Sequence, residues 1–190
     1  MVTKHSKTKL VLSIGASLVV VGSVVAYAGI VTIQGEGDSD QIGLWGGSAT
    51  LTARKLVTPV GETTGGWHYH PGYVYNVVAE GTITVEDGCG EVVEYSEGEA
   101  FEKTDGRVHR AYNLGDVDAV EYSMFINRPG TMLGKPVPKR CGPPSIVDEC
   151  KNGGWQKFDH PGTFESQGEC VAYVNNRPTI TLLVPEDPPF

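Results

Sequence analysis

Two histidines stand two residues apart in Trp67-His68-Tyr69-His70-Pro71-Gly72, and a third, His109, follows 39 residues after His70. Side chains two apart on a β-strand share a face. A third histidine from another strand then completes a facial set of three nitrogen donors. Such a set leaves coordination positions open, as a catalytic metal requires. Three neutral imidazoles suit divalent iron, zinc, nickel, copper or manganese, and the spacing does not choose among them. The competing reading is three hydrogen-bonded structural histidines in an empty barrel. His5 at the chain start and His160, in the turn Asp159-His160-Pro161-Gly162, are assigned no role.

The elements that must position these histidines are strands. With 25 Gly and 12 Pro in 190 residues, scarce helical periodicity and recurring short alternating runs, the chain reads as all-β. Strands are expected at Ile30 to Gln34, Ala49 to Thr58, Gly72 to Ala79, Thr82 to Glu86, Val92 to Tyr95, Ala100 to Lys103, Ala111 to Asn113 and Ala119 to Asn127. In the second, Ala49, Leu51 and Ala53 alternate with polar neighbours, as in a half-buried strand. Gly35 to Asp40 and Gly61 to Gly66 read as turn-rich breaks. Eight to ten short strands imply a sandwich or small barrel. Inside and outside alternate along barrel strands, so Val74 and Asn76 keep the parity of His70, and Asn113 that of His109.

On these residues the chain resembles the cupin superfamily. Of the first cupin motif, G-x5-H-x-H-x3-4-E-x6-G, His68, His70 and Gly81 fall at the expected spacing, Gly61 lies one residue too far away, and Val74 stands where the glutamate belongs. Of the second, G-x5-P-x-G-x2-H-x3-N, Gly98, Gly106, His109 and Asn113 fit, with Thr104 replacing the proline. The resemblance covers about residues 45 to 130. It implies a jelly-roll barrel, a metal held by His68, His70 and His109, and a homodimer formed through the sheets. The usual glutamate ligand is missing, and Glu102 and Glu121 are the candidate substitutes on expected strands. Tyr73, Tyr75 and Asn113 are candidate substrate-binding residues; packing is the ordinary use of such tyrosines.

Lys4, Lys7 and Lys9, the apolar run Leu10 to Ala26 and Ala26-Tyr27-Ala28 read as a secretory signal peptide over residues 1–28, with an uncleaved membrane anchor as the alternative. Removing this leader takes three lysines and no acid, moving the formal charge from −8 to −11. So acidic a protein is a poor partner for nucleic acid or anionic membranes. As a binding module, the barrel would hold a small-molecule ligand in its mouth. Secretion or a cell-envelope location follows. There, the even set Cys89, Cys141, Cys150 and Cys170 predicts disulfides. Three pairings exist. Cys150 with Cys170 is preferred because both lie in one compact tail, which leaves Cys89 with Cys141. No C-x-x-C pair suggests a thiolate metal site.

The expected organisation is therefore a leader (1–28), a barrel (29–130), a Pro/Gly-rich linker (131–145), a disulfide-closed unit (146–176) and a tail (177–190). In the closed unit, Cys150-Lys151-Asn152-Gly153-Gly154-Trp155, with Phe158 and Gln167-Gly168-Glu169-Cys170, resembles a short motif at the ends of secreted bacterial proteins. It reads as a stabilising cap with Trp155 and Phe158 as its core, or as a surface-attachment module. For the whole chain the readings are an exported cupin-type metalloenzyme, a ligand-binding module, or an envelope protein whose tail does the work.

Overall fold

The computed structural model describes residues 29–40, 47–103 and 106–177. The expected leader lies outside the described residues, as does the end of the tail, where Thr179 to Val184 reads from its sequence as a short strand. Among the described residues, no helix is long and apolar enough to cross a membrane.

Alternation builds the barrel. In β4 (Tyr73–Glu80), Val74, Asn76 and Val78 are buried between more exposed neighbours, and in β9 (Ala119–Asn127), Glu121, Ser123, Phe125 and Asn127 point inward while Tyr122 and Met124 point out. With β1 (Ile30–Ser39), β2 (Ala49–Thr58) and β7 (Ala100–Lys103) they form one antiparallel sheet in the order β1-β2-β9-β4-β7. The facing sheet, ordered β10-β3-β8-β5-β6, joins β3 (His68–Tyr69), β5 (Thr82–Asp87), β6 (Val92–Ser96), β8 (His109–Tyr112) and β10 (Lys135–Pro136). The result is a jelly roll. Val78, Ile83, Val85, Ala111 and Ala119 fill one end, closed by Tyr95 stacked on Phe101. At the β4–β5 hairpin Gly81 takes φ +70°, and a Cβ there would lie 2.7 Å from the Asp118 carbonyl oxygen. Both the turn and the close approach require glycine.

Three elements depart from the sequence expectation. β1 does not stop at Gln34 but continues to Ser39, with a register shift between Ile33 and Gly35 that leaves Gln34 unpaired as a bulge. Glu36 and Asp38 accept hydrogen bonds from Thr52 and Thr50 of β2, which hold this edge in place. In β2 the inward side is Thr52, Arg54, Leu56 and Thr58, so Leu51 and Ala53 are only half-buried. The barrel interior is polar there, and apolar alternation points to the wrong face. Finally, the stretch read as a linker carries β10, an edge strand paired with β3, where Pro136 needs no outward N–H partner.

The C-terminal unit packs on the barrel through its own small core. The disulfides join Cys89 to Cys141 and Cys150 to Cys170, as expected. Cys150, Phe158 and Cys170 are buried together, with Cys89, Cys141, Trp155 and Phe164 against them. Both bridges thus share one cluster. Short 3-10 turns at Val147–Cys150 and Gly154–Lys157 lead into α1 (Gln167–Asn175), whose first turn is capped when Ser166 Oγ accepts from the Glu169 N–H. Arg107 ties this unit to the barrel: its guanidinium donates to Asp87 of β5 at 2.7 Å and to Glu149 at 2.9 Å.

Candidate metal centre

His68 on β3 pairs in register with His109 on β8, and His70 follows β3 on the parity of His68. The bend after His70 is fixed by Gly72, where any Cβ would collide with the Ile126 carbonyl and Asn127. The three rings converge, with centroids 4.5 to 5.0 Å apart, and their donor nitrogens all lie within 4.8 Å of one another. His70 also sets its ring edge-on to Phe125, 5.3 Å between centroids.

Each imidazole is anchored by its other nitrogen. The Nδ1 of His68 contacts the Gly66 carbonyl at 2.8 Å, that of His70 the Leu133 carbonyl at 2.7 Å, and that of His109 the Arg107 carbonyl at 2.9 Å. A carbonyl oxygen only accepts, so each Nδ1 carries the proton. Each neutral ring then presents an Nε2 lone pair, which is how carbonyl partners orient metal-ligating histidines. Burial keeps the rings neutral. It pushes His70 down to about 3, with the neighbouring His68 adding to the effect, and lowers His109 well below its usual value for the same reasons. His68 is lowered too, by burial and then by Arg54.

Val74, at the usual glutamate position, is fully buried and cannot bind metal. Glu102 points away from the barrel interior on β7. Glu121 does line the inner chamber with all three histidines, yet among the described residues the group able to hold a metal comprises the histidines alone. The Glu121 carboxyl is pushed up to about 7 by burial, against the pull of Arg54. Of the remaining candidates, Tyr75 is 41% exposed on the outer sheet face and Tyr73 shares its parity. Asn113 is buried in a turn: its Nδ2 donates to the Thr58 and Val117 carbonyls and its Oδ1 accepts from the Gly115 N–H.

The structure adds residues that sequence reasoning missed. A pocket of about 260 Å³ opens onto His68 and His70, walled by Trp67, Thr64, Leu133, Pro136 and Arg54. Below it, a chamber of about 30 Å³ is bounded by the three histidines, Arg54, Asn76, Lys103 and Glu121. Phe101 and Lys103 alternate inward along β7, a signal present in the sequence; Arg54 gave none, because apolar alternation assigned it to the outside.

Residues 55–125, which hold all three histidines, match the family model for the cupin domain. This stretch of the barrel is a cupin domain by that match. Solved structures similar to the chain include a cupin domain from Bordetella pertussis tohama i, 20% identical, covering 53% of this chain and 95% of that one at a TM-score of 0.41. A cupin-like protein from Thermotoga maritima is 17% identical, covering 57% and 75% at 0.45. A protein from Bacillus halodurans is 24% identical, covering 45% and 67% at 0.39. No curated protein matches the chain. In this cupin domain the donor set fits a metal: three convergent Nε2 lone pairs, each with its tautomer pinned, suit a divalent transition ion better than they fit one another.

Proposed function

We propose that this protein is an exported cupin that holds one divalent transition metal on His68, His70 and His109 and receives a small molecule at the open positions. One observation carries this reading: three carbonyls, from Gly66, Leu133 and Arg107, fix all three histidines with Nε2 facing inward. Structural histidines have no need of three convergent lone pairs without a cation or a donor between them. The metal, when bound, would polarise a coordinated oxygen or activate a small molecule as a Lewis acid. The protein's own part is to orient the ligand: Trp67 and Pro136 wall the entrance, and Arg54 stands beside the metal ligands. Export is supported by four cysteines that are all paired. The outer sheet face, where Tyr75 pairs with Met124 and Val77 with Tyr122, supports a homodimer through the sheets.

The test is elemental analysis of untagged mature protein from an exporting host, beside a His68→Ala/His70→Ala control. Near-stoichiometric metal in the first and none in the second is expected. Absence of metal after reconstitution with each candidate ion defeats the reading.

A further inference from the structure

Among the described residues, the lining of the inner chamber carries two cations, Arg54 and Lys103, and one acid, Glu121. Arg54 reaches the chamber from β2, its guanidinium 4.6 Å over the Phe125 ring, with one long hydrogen bond of 3.3 Å from Nη2 to Ser123 Oγ. Its Nε is buried without a hydrogen-bond partner. Lys103 enters from β7 near the Phe101 ring, and among the described residues no carboxylate lies within ion-pair distance of it. Lys103 does feel Arg107, Asp87 and Glu91, but Arg107 is itself paired with Asp87. Among the described residues lining the chamber, a single acid, Glu121, faces the two cations, and its Oε2 is itself buried and unpartnered. A divalent ion on the histidines would raise the positive excess further. Charge withdrawn from water needs a counter-charge and hydrogen bonds.

From this we infer that the pocket binds a small carboxylic acid, with one oxygen at the metal and its carboxylate on Arg54. The inference rests on the metal-binding reading for the first contact only. The guanidinium is the better anchor of the two cations, because its planar fork matches a carboxylate with two parallel N–H donors. Arg54 lines both the open pocket and the inner chamber, together with His68 and His70. A ligand spanning metal and guanidinium therefore stays within one continuous space. At about 260 Å³ the pocket is smaller than the usual drug-sized range of roughly 300–1,000 Å³, which favours a compact acid. Trp67 at the rim supplies an apolar wall and no acceptor.

Calorimetric titration of the zinc-loaded protein with pyruvate and oxalate, against neutral pyruvamide, tests the assignment. Wild type is expected to bind both acids and not the amide. Arg54→Met, which keeps length and apolar packing, should weaken the acids roughly 100-fold while zinc content stays stoichiometric. Arg54→Lys should fall between. Equal binding by wild type and Arg54→Met, or no acid bound by zinc-loaded wild type, overturns the proposal. If Arg54→Met does not fold, Arg54→Lys and Arg54→Gln carry the same comparison. The metal reading fails separately, through zinc content. In that event metal-free protein is titrated, and binding abolished in the Arg54 variants upholds the anion site, whereas unchanged or absent binding rejects it.

Discussion

A buried imidazole whose Nδ1–H donates a hydrogen bond to a carbonyl keeps a single ring-nitrogen lone pair, on Nε2, and its direction is settled before any ligand arrives. Sequence spacing revealed which residues do this, because H-x-H followed by a glycine-framed histidine is a local pattern. It did not reveal the anchors, since Leu133 is 63 residues from His70. The same burial makes stability depend on pH. His70 and His109 are held below their unfolded value near 6.5, so below that pH the unfolded chain binds more protons and metal-free protein loses stability as acidity rises. Glu121 acts in the opposite sense. Raised from 4.5 to about 7, it costs stability progressively as pH climbs through that interval. Glu121→Gln should therefore stabilise metal-free protein at pH 8 by on the order of 2–3 kcal/mol and change little at pH 4.5, as read from urea midpoints. An equal gain at both pH values would contradict a buried carboxyl of raised pKa.

At the scale of elements, most strands were legible from alternation, and each exception has its own cause. β10 is two residues long, too short for any period, and exists because β3 offers it an edge. β2 misled because its inward side chains, Thr52 and Arg54, serve a polar interior. Glycine spacing misled at Gly35 and Gly37, which lie within β1, but at the β4–β5 turn it was read correctly as punctuation, and the structure supplies the reason. Gly81→Ala would force a Cβ onto the Asp118 carbonyl in a left-handed turn. It should lower stability by about 1–3 kcal/mol in equilibrium denaturation. A loss under about 0.5 kcal/mol would show that the hairpin can relax.

Across the whole molecule, barrel and C-terminal unit meet at Arg107. Burial opposes ionisation of Asp87, but hydrogen bonds from Arg107, Glu91 and Cys89 hold its carboxyl below the usual range. Glu149 is lowered in the same way by the Ser145 N–H and Arg107. This contribution is present above the unfolded values and is lost as pH falls through the folded ones. Arg107→Met leaves both acids without their cation and should cost about 3 kcal/mol. Because the Arg107 carbonyl also anchors His109, metal affinity should fall with it. Thermal melts of metal-loaded and metal-free Arg107→Met separate the two effects; an unchanged metal-induced rise in Tm would uncouple the unit from the site. The cysteine count predicted the bridges, while the shared cluster depends on how the chain returns and was invisible beforehand. That return closes a covalent ring from Cys89 to Cys141, with His109 inside it and His68 and His70 outside. A protease that severs one peptide bond within the ring leaves the fragments tied together, so the three histidines remain on one molecule until a reductant opens the bridge.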